Sequence, residues 1–231
     1  MKNSDLIASL KGGLLISCQA KEGDPTYSAD MMVAFAKSAQ LGGAAGIRAN
    51  GPTFIRAIKQ QVDLPLLGIQ KVTAPDGRVV ITSSVEDAKA IVAAGADMIA
   101  ADVTDYWRSG NLSGMEFLRA LKKELDVPVV AEVEYLEEGL AAAENGADMI
   151  STTLAVDHMP KYVPDFKLLE ELVRRTNVPI LMEGNIWSPE DLVRCFELGA
   201  HCVVIGSVVT RPWQVVERYT KSIERFSHGN T

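Results

Sequence analysis

The chain has 231 residues, of which 47% are hydrophobic and 23% are charged. This balance is typical of a soluble globular protein and excludes a disordered or collagen-like chain. The formal net charge is −7, and no run is rich in Lys and Arg, which argues against a nucleic acid or an anionic membrane surface as the main partner. No apolar stretch reaches the ~20 residues of a membrane span, and no secretory signal is recognised. We therefore expect a cytoplasmic protein that binds a small metabolite.

The cysteine pattern indicates free thiols. Cys18, Cys195 and Cys202 are odd in number, show no C-x-x-C spacing and have no histidines at zinc-ligand distance. We expect neither a disulfide framework nor a metal site, and free thiols suit a reducing compartment.

Two kinds of short apolar sequence motif alternate along the chain, which indicates internal repetition. Gly-Ala-Asp-Met-Ile at residues 95–99 recurs at 146–150 and more loosely at 199–203, at a period of about 50 residues. Phrases such as Val-Pro-Val-Val at residues 127–130 lie between them. These runs are rich in Val, Ile, Leu and Met and lack polar alternation, which is typical of parallel strands buried on both faces.

Eight strands are predicted in chain order: Gly13–Ser17, Ala45–Arg48, Leu66–Gln70, Met98–Asp102, Val129–Val133, Met149–Thr153, Ile180–Glu183 and Val203–Gly206. Amphipathic helices are predicted between them, and Ser84 and Ser188 are expected to cap two of these helices at the N-terminus. Gly95, Gly146 and Gly199 are expected to end helices with a positive φ. The pattern favours one domain, residues 1–231, folded as a phosphate-binding (β/α)8 TIM barrel. A doubly wound open sheet is the alternative, but it lacks a G-x-G-x-x-G turn and leaves two strands unplaced.

Charged residues close five of the predicted strands at their C-terminal ends, where such barrels build their active sites. They are Arg48, Lys71, Asp102, Glu132 and Glu183. Because coincidence explains five such residues poorly, we expect most of them to line one site. Cys18 lies at the same end, but no neighbouring histidine could activate it, so a buried thiol is the simpler interpretation.

The last two strand ends suggest a phosphate site. Gly184 follows the seventh strand, and Gly206 and Ser207 follow the eighth and precede a helix. In this fold the backbone N–H groups of these loops commonly bind phosphate, and glycine permits the close approach. Arg211 could pair with the same phosphate through two hydrogen bonds.

The chain contains several phrases in a recognisable order: Leu15-Ile16-Ser17-Cys18-Gln19-Ala20, Gly43-Ala44-Ala45-Gly46-Ile47-Arg48, Gly68-Ile69-Gln70-Lys71, Ser151-Thr152-Thr153-Leu154, Pro164-Asp165-Phe166, Glu183-Gly184, Val204-Ile205-Gly206-Ser207 and Thr210-Arg211-Pro212. Together they resemble the N-acetylmannosamine-6-phosphate 2-epimerase family over nearly the whole chain. The resemblance implies interconversion of N-acetylmannosamine 6-phosphate and N-acetylglucosamine 6-phosphate in sialic-acid and amino-sugar catabolism, with no metal or nucleotide required.

The resemblance also implies roles for individual residues. It assigns the catalytic lysine to Lys71 and its partner carboxylate to Glu183. It assigns substrate contacts to Gln19, Arg48 and Arg211, and phosphate contacts to Gly184, Gly206 and Ser207. The family usually has arginine where this chain has Asn185, and usually has aspartate where it has Glu132.

The chemistry of such a reaction can be argued from the groups themselves. Inversion at C2 of a 2-acetamido sugar needs a proton removed and returned on the other face of the ring-opened aldehyde, hence two acid–base groups. If the neutral amine of Lys71 is the base at C2, its pKa would have to fall towards ~7–8, and burial beside a cation such as Arg48 is the ordinary way to lower it. Glu183 would then move protons at O1 and O5 or serve the opposite face, while Asp102 and Glu132 would orient the sugar or Lys71.

Two questions stay open at this point. Another sugar-phosphate isomerase or lyase, or a non-catalytic sugar-phosphate-binding regulator, is an alternative to the epimerase. The oligomeric state is also open, and the tryptophans Trp107, Trp187 and Trp213 are candidates for the interface of a homodimer. The substrate class that we expect is a small sugar phosphate.

Overall fold

The computed structural model describes residues 2–110 and 112–227. Its strands are β1 Gly13–Cys18, β2 Gly46–Asn50, β3 Leu66–Ile69, β4 Lys71–Thr73, β5 Val79–Ile81, β6 Met98–Asp102, β7 Val129–Glu132, β8 Met149–Ser151, β9 Ile180–Glu183 and β10 Cys202–Ile205. Eight of them pair in parallel and close into a barrel in the order β1-β10-β9-β8-β7-β6-β3-β2. The predicted TIM barrel is therefore confirmed, and every boundary of its eight strands lies within two residues of the one expected.

Helices surround the barrel. They are α1 Asn3–Ser9, α2 Ala29–Leu41, α3 Pro52–Lys59, α4 Val85–Ala93, α5 Gly114–Glu124, α6 Leu136–Glu144, α7 Phe166–Arg175, α8 Pro189–Glu197, α9 Ser207–Thr210 and α10 Pro212–Ser227, with a 3-10 helix over Thr153–His158. The side chains of Ser84 and Ser188 accept hydrogen bonds from the third residue of α4 and of α8, which confirms the two predicted caps.

The predicted helix-ending glycines all adopt the left-handed backbone conformation. Their φ angles are 110° at Gly95, 88° at Gly146 and 96° at Gly199. At Gly199 an added Cβ would also lie 2.8 Å from a methyl of Val173, so a side chain would be both strained and crowded there.

The core has two layers, because successive strand residues point to opposite faces of the barrel wall. Inside the barrel, Leu15, Met98 and Val204 belong to one apolar cluster, while their neighbours Ile16, Ile99 and Val203 pack outward against the helices. Helix α1 closes the N-terminal end of the barrel with Leu6 and Leu10, which join the inner cluster. The opposite, C-terminal end of the strands is left as the mouth.

An antiparallel hairpin of β4 and β5 follows β3 and was not predicted. Its turn contains Pro75, Asp76 and Gly77, and Gly77 has a φ of 87°. The residue types Pro-Asp-Gly are a recognised turn signal, so this element could have been found from the sequence. The hairpin matters because its first residue is Lys71.

Candidate active site

A cavity of about 650 Å³ opens at the C-terminal mouth of the barrel, within the size range of small-molecule sites. Its walls include eight of the ten residues that the sequence predicted for the site: Gln19, Arg48, Lys71, Glu183, Gly184, Gly206, Ser207 and Arg211. They come from the ends of five barrel strands and from the start of α10, and barrel closure alone brings them together.

Arg48 is the centre of a buried ion cluster. Its guanidinium Nη2 lies 2.5 Å from Oε1 of Glu132, and its Nε lies 3.2 Å from Oε2 of Glu183. Burial by itself would lower the pKa of Arg48, but the carboxylates of Glu183 and Glu132 outweigh it, and the pKa is raised. The guanidinium therefore stays charged and ties two strand ends together.

Lys71 has a markedly lowered pKa. Burial lowers the pKa of its ammonium group to about 8, and the positive charges of Arg48 and Arg211 act in the same direction. Its backbone N–H donates a 2.8 Å hydrogen bond to Oδ1 of Asn50, at the end of β2. Neutral amine is thus available near neutral pH, which is the condition predicted for a base.

Glu183 is perturbed in the opposite sense. Burial raises the pKa of its carboxyl group, and the neighbouring Arg48 only partly opposes this shift. Thr153 donates its hydroxyl to Oε2 at 3.3 Å, and the hydroxyl of Thr152 bridges the backbone N–H and C=O of Glu183. One cavity therefore holds a weakened cation and a weakened acid, a pairing typical of acid–base catalysis.

The predicted phosphate side lies along the ends of β9 and β10. Gly184 has a φ of 121°, and a Cβ on Gly206 would lie 3.2 Å from the Cβ of Ser17. Arg211 donates to the hydroxyl of Ser207 at 3.4 Å, and Thr210 donates to the C=O of Ser17 at 3.0 Å. The helix that begins at Ser207 is a single turn of four residues.

Asp102 and Glu132 do not line the cavity, although the sequence predicted them for the site. Asp102 is buried and accepts two hydrogen bonds from Thr104, one from its backbone N–H and one from its hydroxyl. Glu132 is fully buried against Arg48. A direct contact between substrate and either residue stays a prediction; the geometry assigns Glu132 to holding Arg48.

Several cavity residues were missed because they lie on loops and on α10, whose approach depends on how the barrel closes. Arg78 reaches the cavity from the hairpin, with its guanidinium carbon 3.6 Å from the ring centre of Tyr106. Lys161 reaches it from the loop before α7, and Asn185, in the left-handed conformation with φ 56°, donates to the C=O of Pro160 at 3.4 Å. Arg78 and Lys161 carry no local sequence signal that distinguishes them from ordinary surface charges, whereas Asn185 stands where the resembled family usually has arginine.

Tyr162 and Trp187 form an aromatic wall of the cavity. Their ring centres lie 4.8 Å apart in an edge-to-face arrangement, and the guanidinium of Arg218 on α10 lies 5.0 Å from the ring centre of Tyr162. Helix α10 also contributes Gln214 and Glu217 to the lining. This helix therefore belongs to the site as well as to the outer surface.

Among residues 2–110 and 112–227, no group of His, Cys, Asp and Glu side chains is arranged to hold a metal ion. In the same part of the chain, no helix combines the length and the apolar character that crossing a membrane requires.

Several known proteins with similar sequences carry the same name. The family model described as "Putative N-acetylmannosamine-6-phosphate epimerase" matches residues 32–225. A protein of Caldanaerobacter subterraneus subsp. tengcongensis named "Putative N-acetylmannosamine-6-phosphate 2-epimerase" is 40% identical over 98% of this chain and 97% of its own. A protein of the same name from Clostridioides difficile is 38% identical over 95% of this chain and 99% of its own.

A solved structure agrees with these sequence matches. The N-acetylmannosamine-6-phosphate 2-epimerase from Clostridium perfringens superposes with a TM-score of 0.87 at 34% identity, over 94% of this chain and 95% of that one. The barrel and its mouth are therefore shared along almost the whole length of both chains.

Proposed function

The chain belongs to the N-acetylmannosamine-6-phosphate 2-epimerase family, and we propose that it interconverts N-acetylmannosamine 6-phosphate and N-acetylglucosamine 6-phosphate in amino-sugar and sialic-acid catabolism. The observation that carries the proposal is the pair of oppositely perturbed groups, Lys71 and Glu183, in one cavity at the barrel mouth. The chemistry of C2 inversion requires such a pair.

Lys71 is the proposed base at C2. With a pKa of about 8, roughly one lysine in ten is neutral at pH 7, compared with about one in 3,000 at its ordinary pKa. The neutral amine takes the C2 proton of the ring-opened sugar, where the C1 carbonyl makes that proton acidic. General base catalysis of this kind contributes about 10²- to 10⁴-fold.

Glu183 is the proposed acid. Because its pKa is raised, the carboxyl group keeps its proton to a higher pH than an ordinary glutamic acid does, and it can donate that proton. It serves the ring-opening step at O5 and O1 or returns a proton to the opposite face of C2. The hydroxyl of Thr153 at 3.3 Å fixes the orientation of the carboxyl group for either step.

Arg48 and Gln19 are the proposed donors to the oxygen that becomes negative when C2 loses its proton. Both side chains are buried and line the cavity. A fixed donor in such a site stabilises a developing oxyanion by about 3–4 kcal/mol. The ion pair with Glu132 keeps the guanidinium of Arg48 in place for this role.

The 6-phosphate is proposed to bind along Gly184, Gly206, Ser207 and Arg211. The lack of side chains at the two glycines leaves backbone N–H groups accessible, and Arg211 supplies a positive charge on the same wall. With the phosphate bound at this end of the cavity, C2 of the sugar is proposed to lie beside Lys71.

One observation and one experiment distinguish the proposal from the alternatives. A protein that only binds a sugar phosphate needs neither a lysine of lowered pKa nor an acid of raised pKa, so the acid–base pair favours an enzyme. Another isomerase or lyase would share the pair and the phosphate site, so product analysis separates it from the epimerase.

The test is proton NMR of the purified protein with N-acetylmannosamine 6-phosphate. We expect the anomeric signals of N-acetylglucosamine 6-phosphate to appear. If none appear while the Clostridium perfringens enzyme converts the same sample, the proposed substrate is wrong, and a panel of other sugar phosphates should be assayed.

We also propose that two copies of the chain associate through α10. On its outer face, Val216, Tyr219 and Ile223 are 60%, 71% and 53% exposed. They are spaced three and four residues apart, which aligns them along one stripe of the helix. A large apolar stripe on a surface helix is typical of a protein interface. Light scattering tests this proposal, since Ile223→Glu should convert a dimer into a monomer.

A cytoplasmic location is part of the same proposal. Cys18, Cys195 and Cys202 are all buried free thiols, and burial raises the pKa of each to about 12. Thiols of this kind suit a reducing compartment. Cell fractionation of the native host would test the location.

A further inference from the structure

Thr82 has an unusual backbone conformation for a β-branched residue. It directly follows β5, its φ is 52°, and its side chain is fully buried. The left-handed region crowds a branched side chain, and such a residue stays there only when its surroundings require it. Thr82 is therefore held by specific contacts.

Those contacts are hydrogen bonds to the end of β3 and to β6. The backbone N–H of Thr82 donates to the C=O of Gln70 at 2.6 Å. Its hydroxyl accepts from the N–H of Gln70 at 3.1 Å and donates to the C=O of Ala100 at 2.7 Å. One buried side chain thus satisfies polar backbone groups of two strands.

The position of Thr82 coincides with the end of regular pairing between these strands. The ladder between β3 and β6 pairs Leu67 with Met98 and Gly68 with Ile99 and then stops. The hydroxyl of Thr82 links the same two segments one step closer to the mouth. These side-chain hydrogen bonds replace the next backbone pairing between β3 and β6, at the point where the hairpin diverges from the barrel wall.

Lys71 is the residue that this link would hold in place. It follows Gln70 and pairs with Ile81, the residue before Thr82, as the last pair of the hairpin. Its N–H is fixed by Asn50 at 2.8 Å, and its C=O accepts from the side chain of Gln70 at 3.2 Å. Thr82 therefore anchors the short segment from which the lysine side chain extends into the cavity.

We propose that Thr82 is a positioning residue for Lys71, an inference that rests on the role proposed for Lys71 above. The hydroxyl of Thr82 and its left-handed backbone join β3 to β6, and so hold the base of the hairpin at a fixed depth in the barrel mouth. Thr82 does not line the cavity and is assigned no contact with substrate.

If the hydrogen bonds of Thr82 are lost, we expect both the position and the pKa of Lys71 to change. The depth of Lys71 sets its burial and its distance from the guanidinium of Arg48, the two main causes of its lowered pKa. A shift of the hairpin towards solvent would raise that pKa back towards its ordinary value. It would also misplace the amine, and a displacement of about 1 Å can reduce turnover about 100-fold.

The experiment compares three substitutions of Thr82. Thr82→Val keeps the shape and removes the hydroxyl, Thr82→Ser keeps the hydroxyl, and Thr82→Gly removes both the hydroxyl and the backbone strain. The matched control is Thr176→Val, because the hydroxyl of Thr176 also bridges backbone groups, those of Val178, but at the opposite end of the barrel.

Two readouts are used for each variant. One is the pH dependence of kcat and of KM. The other does not depend on catalysis: trace labelling of Lys71 by acetic anhydride at several pH values, quantified by mass spectrometry of the peptide, reports the pKa of the amine in the intact protein.

For Thr82→Val and Thr82→Gly we expect kcat to fall about 10- to 100-fold, with a smaller change in KM and a higher pH midpoint for labelling of Lys71. For Thr82→Ser and Thr176→Val we expect both readouts to stay close to those of the unsubstituted protein. Circular dichroism checks folding, and Thr82→Gly, which relieves the strain, serves if Thr82→Val does not fold.

A labelling midpoint for Thr82→Val or Thr82→Gly that equals that of the unsubstituted protein, with unchanged kcat, would overturn the inference. A fall in kcat that Thr82→Ser fails to restore would overturn it as well. Failure of the proposed function would look different, since the unsubstituted protein would then show no epimerisation while the labelling comparison still reports whether Thr82 controls the pKa of Lys71.

Discussion

The two ends of the barrel are built from the same eight strands and are filled in opposite ways. At the N-terminal end, Leu6 and Leu10 of α1 complete an apolar interior. At the C-terminal end, Arg48, Glu132 and Glu183 occupy the interior as a buried ion cluster beside the cavity. One end therefore contributes stability through packing, while the other holds charged groups that cost stability unless they are paired.

The largest expected effect is on catalysis at the mouth. Lys71→Met removes the proposed base while keeping most of the side-chain volume, so kcat/KM should fall about 10²- to 10⁴-fold. Thermal stability should stay equal or rise, because the substitution removes a cation from beside Arg48 and Arg211. Lys89→Met, at an exposed pair with Glu124, is the control and should retain activity. Retention of full activity by Lys71→Met would contradict the assignment.

The next effect separates buried from exposed ion pairs. Glu132→Ala leaves the guanidinium of Arg48 buried with one partner fewer, and the free energy of unfolding should drop by about 3–5 kcal/mol. Glu197→Ala breaks an exposed pair with Arg194 and should cost less than about 1 kcal/mol. Urea unfolding of both variants measures the difference. Equal losses of unfolding free energy would show that a buried ion pair stabilises this protein no more than an exposed one.

The closed end should affect stability without affecting chemistry. Leu10→Ala opens a cavity beneath the barrel and should cost about 2–5 kcal/mol of unfolding free energy. Leu41→Ala, at a side chain that is 90% exposed, should change little. Below the melting temperature, kcat of Leu10→Ala should match that of the unsubstituted protein. A large loss of kcat in this folded variant would mean that the two ends are coupled.

The pH dependence of kcat/KM should be set by the ionisable groups at the mouth of the barrel. Because the neutral amine of Lys71 is the base, kcat/KM should rise about tenfold per pH unit below its pKa of about 8. The stability of the folded protein also depends on pH through Lys71. The pKa of Lys71 is lower in the folded state than its ordinary value of 10.5, so the unfolded chain binds more protons between about pH 8 and 10.5. This group's contribution to stability therefore rises with pH across that window. A profile with no acid limb near pH 8 would contradict the assignment.

The smallest effect is expected at the rim of the mouth. Arg78 lines the cavity but is exposed to solvent and stacked on Tyr106. Arg78→Met should raise KM only a few-fold, with kcat unchanged and with a smaller dependence on salt, because exposed charges contribute little and are screened by salt. Arg194→Met, at an exposed position on α8 outside the cavity lining, is the matched control. A large change in kcat for Arg78→Met would place this residue among the catalytic groups.

The barrel could be predicted from the sequence because its repeats carry strong local signals. Runs such as residues 129–131 are apolar on both faces, and glycines such as Gly95 end the helices with positive φ. The strand-end residues were predictable because parallel strands bring their C-terminal ends to one mouth of the barrel. The roles of individual residues came from resemblance to a known family rather than from local signals.

The rest of the site depends on long-range packing that no local pattern encodes. The sequence did not indicate that Glu132 would lie behind Arg48 instead of in the cavity wall. It gave no signal that Arg78, Lys161 and Gln214 would reach the cavity from a hairpin, a loop and the last helix. The conformation of Thr82 was equally hidden, because threonine rarely adopts a positive φ and its partners lie on two different strands.

The central claim is that Lys71 removes the C2 proton of the sugar. The most direct measurement follows the C2 signal by proton NMR in deuterium oxide, with N-acetylmannosamine 6-phosphate and either the unsubstituted protein or Lys71→Met. We expect the unsubstituted protein to form N-acetylglucosamine 6-phosphate with deuterium at C2, and Lys71→Met to form product and exchange the C2 proton of the substrate about 10²- to 10⁴-fold more slowly. Product that retains its C2 proton, or exchange that continues in Lys71→Met at the same rate, would contradict that claim.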